Sequence, residues 1–194
     1  DLTISYTVND ANQITSTSAD TTTWTYDGAG NQTRNGITGQ LATYGDRLQA
    51  TSLNGVTQTS FGTGNSMRMT AGTSRFLDTG LGTTRRVESS AVQNSSFQRA
   101  GDGSLIWYTA DSALRYYATD HLGSVIGAFN NTGTWLGGYS YSPYGEQRHS
   151  ADETSIPRNP MRYIGGHEDS ENFYKLGARY NDTSGSNAGR AYVV

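Results

Sequence analysis

The residue types best suited to catalysis stand together at Asp120, His121 and Ser124. A histidine beside an aspartate can act as a general base, and a nearby serine suggests the Ser-His-Asp arrangement of acyl-transfer enzymes. All three share one predicted strand-to-turn segment, however, and neighbouring strand residues point to opposite faces of a sheet. Asp120 is therefore badly placed to orient His121, and the segment is expected to stabilise a turn.

A second cluster of polar residues combines His167, Glu168, Asp169 and Glu171. Carboxylates of this kind are the hard oxygen donors that calcium and magnesium prefer. The spacing matches no EF-hand loop, and one histidine is too few for a typical zinc site. The sequence therefore favours a solvated acidic turn here and predicts no metal site.

Two further sets of residues have both a binding and a structural interpretation. Aspartates in turn contexts can bind calcium in β-rolls, but the glycine-rich nonapeptide of those proteins is absent, so turn capping is expected. Tryptophans on strands can line a sugar-binding face, although cross-strand packing is their commoner role. The residues concerned are Asp10, Asp27, Asp46, Asp102, Trp24, Trp107 and Trp135.

The composition limits the classes of protein to which these residues can belong. The chain has 194 residues, 34% hydrophobic residues, 24 glycines, 13 tyrosines, no cysteine and a net charge of -3. No cysteine means no disulfide and no thiol nucleophile, and no apolar run is long enough for a transmembrane helix. The only basic cluster is Arg85-Arg86, which argues against a nucleic-acid partner. A β-rich, turn-rich protein is predicted.

The elements that must position these residues are repeated hairpins. Residues 6–15 begin as an alternating strand and pass into a turn at residues 9–12. Residues 24–33 align with them at an offset of 18. Residues 44–48 form a degraded third copy, and residues 100–106 repeat the turn before an apolar strand. A hairpin of this size cannot bury its apolar face alone, so neighbouring hairpins must stack.

Helical signals are weak throughout the chain. The best helix candidate is short, at residues 112–117, and helix-forming residues are sparse. Residues 61–82 are weakly patterned. Their candidates for the core are Met67, Met69, Phe76 and Leu77.

From residue 116 onward, four motifs follow one another in a fixed order. They read YYATDHLGSV at 116–125, YSYSPYGE at 139–146, NPMRYIGG at 159–166 and NFYKLGARYND at 172–182. Together they resemble the RHS-repeat-associated core of RHS/YD-repeat proteins, and the upstream hairpins resemble YD repeats. The matching positions are Tyr116, Tyr117, Asp120, His121, Leu122, Gly123, Ser124, Tyr141, Pro143, Tyr144, Gly145, Glu146, Asn159, Pro160, Arg162, Tyr163, Gly165, Tyr174, Gly177, Ala178, Arg179, Tyr180 and Asp182.

The resemblance implies an all-β fold in which antiparallel β-hairpin repeats form part of a hollow RHS-type β-shell, with little helix. It implies degenerate YD-repeat hairpins at residues 1–110, the RHS-repeat-associated core at 111–182 and a divergent C-terminal tail at 183–194. These positions have a structural role in the family, so neither a catalytic residue nor a cofactor is expected among them.

The family also implies a function, namely a structural module of a secreted or cell-surface protein, often a bacterial toxin, that encloses or presents a C-terminal effector. Its partners would be upstream repeats or other shell chains, through exposed strand edges, and possibly the effector domain. An autoproteolytic aspartyl-protease segment and a glycan-binding adhesin are the alternatives.

Two departures from the family pattern bear on that implication. The chain is shorter than a closed shell requires, so it is expected to be an end segment. The aspartates that the family uses for self-cleavage lie beyond the position of Asp182, in a stretch that this sequence does not match. Ser142 and Tyr144 also stand where the family usually has Asp and Phe.

Overall fold

The computed structural model describes residues 4–45, 49–61, 67–89, 94–149, 155–170, 173–176, 179–183 and 190–191. These residues form 21 β-strands, all of them paired antiparallel, and one 3-10 turn at Tyr163–Gly165. The described part of the chain contains no α-helix. The predicted all-β antiparallel fold with little helix is therefore confirmed.

The strands are short and follow one another closely. Their bounds are β1 Tyr6–Val8, β2 Ile14–Thr17, β3 Thr25–Tyr26, β4 Gln32–Arg34, β5 Ala42–Tyr44, β6 Ala50–Leu53, β7 Val56–Phe61, β8 Met67–Ala71, β9 Ser74–Thr79, β10 Gly82–Val87, β11 Ser95–Arg99, β12 Leu105–Ala110, β13 Ala113–Thr119, β14 Val125–Asn130, β15 Trp135–Gly138, β16 Ser140–Tyr141, β17 Gln147–His149, β18 His167–Ser170, β19 Phe173–Leu176, β20 Arg179–Asp182 and β21 Arg190–Ala191.

One large sheet dominates the topology. Strands β5 to β15 pair in sequence order as an 11-stranded antiparallel meander. Hairpins β1–β2 and β3–β4 precede it, and a single bridge between Arg34 and Leu41 links the second of these to β5. Hairpin β16–β17 and the four-stranded sheet β18–β21 follow. The meander runs without a break past residue 110, and the domain boundary predicted there stays a prediction.

Within the described residues, seven reversals of the chain use the same five-residue turn. The first residue donates its N–H to the carbonyl of the fifth and accepts a bond from the N–H of the fourth, at 2.8–3.1 Å. The fourth residue is in the left-handed region, which favours glycine and, next, asparagine. These turns occupy residues 9–13, 27–31, 100–104, 120–124, 130–134, 142–146 and 162–166, and their fourth residues are Asn12, Gly30, Gly103, Gly123, Gly133, Gly145 and Gly165.

The predicted hairpin repeats correspond to these turns. The turns at 9–13 and 27–31 stand 18 residues apart, and Gly45 donates the matching bond to the carbonyl of Gln49 after another 18. The degraded third copy is therefore a hairpin in the same register, although its residues 46–48 lie outside the described residues. The turn predicted at residues 100–106 is also confirmed.

Two hydrophobic clusters lie between the meander and the segments that cover it. The larger joins β11 to β14 with Tyr139, Ile156 and Met161, and the smaller joins β5 and β6 to β19 and β20. The larger cluster consists of Phe97, Leu105, Tyr108, Ala110, Val125, Ala128, Tyr139, Ile156 and Met161. The smaller consists of Ala50, Leu53, Phe173 and Tyr180.

Two local predictions were wrong. The helix candidate at 112–117 is strand β13, because Asp111 and Ser112 both adopt positive φ and form a two-residue hairpin loop from β12. Met69 and Leu77 are not core residues, since they are 48% and 59% exposed. Strand alternation turns Arg68 inward in place of Met69, a choice that hydrophobicity alone does not predict.

The shared turn predicts a contrast between two glycines of one reversal. Gly103, with φ +88°, is the fourth residue of the turn at 100–104, whereas Gly101 in the same turn has open space around it. We expect Gly103→Ala to lower the free energy of unfolding by about 1–2 kcal/mol, because alanine is strained in the left-handed region. Gly101→Ala is the matched control, and urea unfolding measures both. Equal effects of the two substitutions would contradict the assigned turn.

Candidate functional site

In several of the repeated turns, the side chain of the first residue also stabilises the turn. In four turns its Oδ1 accepts bonds from the N–H groups two and four residues later, at 2.8–3.1 Å. Partial burial pulls the pKa of Asp27 upward, but bonds from Asn31 and Ala29 outweigh it and leave that pKa lowered. The four residues are Asn9, Asp27, Asp120 and Asn130.

The Asp120–His121–Ser124 set lies in one such turn. Oδ1 of Asp120 accepts from the N–H groups of Leu122 and Ser124. The Ser124 hydroxyl is buried and accepts from the N–H of Ile164 at 3.1 Å, while His121 is exposed. These contacts agree with the turn-stabilising role predicted for the segment.

The other aspartates for which turn capping was predicted have three different outcomes. Oδ1 of Asp102 accepts from the N–H of Ser104 at 2.9 Å, which is the predicted capping role. In the first turn Asn9 takes that role, so the prediction for Asp10 was displaced by one residue. Asp46 lies outside the described residues.

Tyrosine hydroxyls connect successive hairpins. Each stands directly before a five-residue turn and donates to the carbonyl directly after an earlier turn. Tyr26 donates to Ile14 at 2.9 Å and Tyr44 to Gln32 at 3.2 Å. Tyr141, in the second of the four motifs, makes the same bond to the carbonyl of Val125 at 2.8 Å. In these three places a turn is tied to an earlier hairpin by the tyrosine that precedes it.

The motif at 142–146 packs on the motif at 162–166. The Tyr163 hydroxyl donates to the carbonyl of Pro143 at 2.9 Å, and a Cβ on Gly145 would overlap the Tyr163 ring. Thr183 donates to the carbonyl of Gly145 at 3.0 Å. Glu146 closes the turn through its backbone, whereas Tyr144 is 52% exposed.

The NPMRY segment is buried beneath the large sheet. The Asn159 amide oxygen accepts from the Tyr117 hydroxyl at 2.8 Å, and Glu168 donates its N–H to the carbonyl of Pro160. Arg162 lies 4.1 Å from the centre of the Tyr139 ring and 3.2 Å from Glu168. This motif therefore joins the large sheet to β18.

The last motif forms β19 and β20 of the four-stranded sheet. Tyr180 stacks on Phe173 at 4.9 Å on one face, whereas Tyr174 is buried on the opposite face. Arg179 and Asp182 bound β20. Gly177 and Ala178, like Glu171 of the acidic cluster, lie outside the described residues.

Trp107 and Trp135 fit the predicted packing role, whereas Trp24 lies just before β3 and donates its ring N–H to Asp20 at 2.7 Å. Trp107, Tyr116, Phe129 and Trp135 occupy one cross-strand row over β12 to β15. Trp135 meets Phe129 edge to face at 4.9 Å, and its ring covers Gly127 so closely that a Cβ there would overlap it. The glycan-binding alternative stays a prediction.

The prediction of a solvated acidic turn at His167–Asp169 was wrong. These residues form β18 and pack on the inner face of the large sheet, where His167 is 5% exposed. Asp169 lies 2.5 Å from the guanidinium of Arg68, which is fully buried on β8 and lies 3.8 Å from the centre of the Phe76 ring. Nδ1 of His167 lies 3.1 Å from the same Asp169 oxygen. We call Arg68, Phe76, His167 and Asp169 the polar clamp.

Electrostatics in the polar clamp follow from burial and from Arg68. Burial alone would raise the pKa of Asp169, but Arg68 outweighs it and holds that pKa well below its usual range. Burial, and then Arg68, lowers the pKa of His167 despite its contact with Asp169. The same two causes lower the pKa of Lys175 to about 8. Among the described residues, no group of three or more His, Asp or Glu side chains is placed to hold a metal ion.

Sequence reasoning missed Arg68, whose partner is 101 residues away. The local pattern points the other way, because Arg68 stands between Met67 and Met69 and strand alternation by hydrophobicity would turn the methionines inward. Two cavities flank the polar clamp, of about 430 Å³ and about 270 Å³, and His167 lines both.

The fold has counterparts among solved structures. A crystal structure of TcdB2–TccC3 matches 86% of this chain with a TM-score of 0.55 and 19% identity. The Photorhabdus luminescens Tc holotoxin pore matches 97% with a TM-score of 0.53 and 18% identity. TcdB2–TccC3 without its hypervariable C-terminal region matches 97% with a TM-score of 0.53 and 17% identity.

This chain shares the fold of segments of Tc toxin chains. It spans only 10–12% of the length of those chains. An RHS-type fold agrees with this likeness. No protein-family model matches the sequence, and no curated protein does. No helix within the described residues is long and apolar enough to cross a membrane.

The polar clamp predicts a specific pH dependence of stability. Because the pKa of His167 is lower in the folded chain than its ordinary value of 6.5, the unfolded chain binds more protons as the pH falls below about 6.5. Stability is therefore lost from pH 7 to pH 5, by about 1.4 kcal/mol for each pKa unit of lowering. Arg68, Arg86 and Asp169 are the charged groups that act on His167.

His167→Gln is expected to reduce this loss, with urea unfolding at pH 5, 6 and 7 as the measurement. His121→Gln, at an exposed histidine, is the control and keeps the loss of the native chain. Identical pH profiles for the native chain and for folded His167→Gln would contradict the burial of a neutral His167.

Proposed function

We propose that this chain is a wall segment of a larger RHS-type β-shell, and that its function is to enclose or present a C-terminal effector of a secreted or cell-surface toxin-like protein. The proposal gives the chain a structural and non-enzymatic role. Its partners are upstream repeats or other shell chains, which pair with its strand edges, and an effector polypeptide.

The observation that carries the proposal is the sequential meander of repeated hairpins with open ends. Within the described residues, β1 pairs only with β2, and β15 is the last strand of the large sheet. An edge strand presents unpaired N–H and carbonyl groups that invite another strand. The likeness of the chain to a tenth of much longer toxin-complex chains supports the same proposal.

The structural role is also supported by the contacts of the motif residues. Asp120 closes a turn, Tyr141 ties two hairpins together, and Arg162 joins the large sheet to β18. Each of these side chains is used in holding the ribbon together. A catalytic role would require some of them to face a substrate.

The edge of β1 provides a test with a matched control. Val8 on β1 is 47% exposed, and Val56 is 44% exposed on β7, which is an interior strand of the large sheet. We expect the isolated chain to self-associate with rising concentration and Val8→Lys to weaken this association, because a charge on an edge strand opposes pairing.

Multi-angle light scattering over a range of concentrations measures the molar mass of each variant. Val56→Lys should associate like the native chain, since it adds the same charge at the same exposure away from the edge. A native chain that stays monomeric at high concentration, or equal effects of the two substitutions, would contradict pairing through this edge.

A further inference from the structure

The larger of the two cavities, of about 430 Å³, lies where the two sheets meet. One side of its wall is the β9–β10 connection at residues 78–83 together with Arg99 at the end of β11. The other side consists of residues 164–166, at the end of the 3-10 turn, and of His167, Lys175 and Leu176 on β18 and β19. A volume of this size is within the range of small-molecule pockets. The shell proposal assigns no role to it.

Three charged side chains lie in the wall. Arg99 and Lys175 are its full cations, and Asp78 is its carboxylate. The two oxygens of Asp78 are already engaged, one by the Thr83 hydroxyl at 2.6 Å and the other by the N–H of Arg68 at 2.8 Å.

Arg99 is held in place by neutral groups. Its guanidinium donates to the carbonyl of Gly103 at 2.9 Å and, over longer distances, to those of Thr83 and Gly165. No carboxylate of the described residues lies within ion-pair distance of it. Burial lowers the pKa of Arg99, and the opposing effects of Tyr117 and Asp78 are smaller. A half-buried cation with this environment favours an anionic ligand.

The remaining wall residues define the rest of the ligand. His167 is 95% buried, and its Nε2 has no hydrogen-bond partner among the described residues. Leu81, Ile164 and Leu176 add an apolar surface to the same cavity. A ligand that satisfies this wall carries one negative charge and a short apolar body.

We propose that this cavity binds a small amphipathic carboxylate, with its oxygens at Arg99 and its apolar part against Leu81, Ile164 and Leu176. Binding would offset the cost of keeping the Arg99 charge in a partly buried wall.

The test uses the histidine imidazole resonances of the intact chain, because His167 lines the cavity whereas His121 and His149 are exposed. Isobutyrate is the probe, and isobutyramide is its neutral counterpart of the same shape. We expect isobutyrate to shift the His167 resonances in a saturable manner and to leave those of His121 unchanged. Isobutyramide should cause no saturable shift.

Leu81 allows a charge test that does not disturb the buried wall, since it is 45% exposed at the rim. Leu81→Asp should weaken isobutyrate binding about fivefold at low salt, the effect of about 1 kcal/mol of repulsion. Leu81→Asn keeps the size of the side chain without its charge and is the matched control.

Three outcomes would overturn the proposal. They are no saturable shift of His167 with isobutyrate, an equal response to isobutyramide, and equal affinities in the Asp and Asn variants of Leu81. Inorganic phosphate that binds as tightly as isobutyrate would overturn the amphipathic class of ligand. None of these results depends on whether the chain forms part of a shell.

Discussion

A left-handed residue at the fourth position of a five-residue turn is the constraint on which the ribbon depends. Gly123 in the DHLGS motif and Gly30 in the second hairpin fulfil the same requirement, although the residues around them differ. The turn fixes the register of the strands on either side, since a slip by one residue would turn every side chain to the other face. The motifs that resemble the RHS-repeat-associated core are, in physical terms, places where the chain reverses in this way.

The turns set the register of the strands but do not determine which face of the sheet is buried. The polar clamp supplies a specific attachment between the large sheet and the four-stranded sheet. Removing one partner of a buried ion pair leaves an uncompensated charge and is strongly destabilising, even where the intact pair adds little net stability. The main effect of the Arg68–Asp169 pair is therefore on which residues of β8 and β18 face each other. Its net contribution to the free energy of unfolding is the smaller effect.

The sequence allowed the local features to be predicted and the long-range ones only in part. The hairpins at 9–13 and 27–31 follow from turn-forming residues and strand alternation, which act over a few residues. The contact of Arg68 with Asp169 joins positions 101 residues apart, and no local pattern encodes it. The acidic segment at 167–169 was misassigned for the same reason, because its burial depends on a distant arginine. The strand β13 was missed because Asp111 and Ser112, which form a two-residue turn here, are also residue types that commonly begin a helix.

The central claim is that this ribbon is an open segment of a larger wall, completed by further strands. Hydrogen–deuterium exchange of the peptide that contains β1, Tyr6–Val8, tests it directly. Exchange is compared between this chain alone and the longest gene product that contains it, with the interior strands β11 and β12 as an internal reference. The account predicts slower exchange of β1 in the longer product and unchanged protection of the reference strands. Equally fast exchange of β1 in both would contradict it.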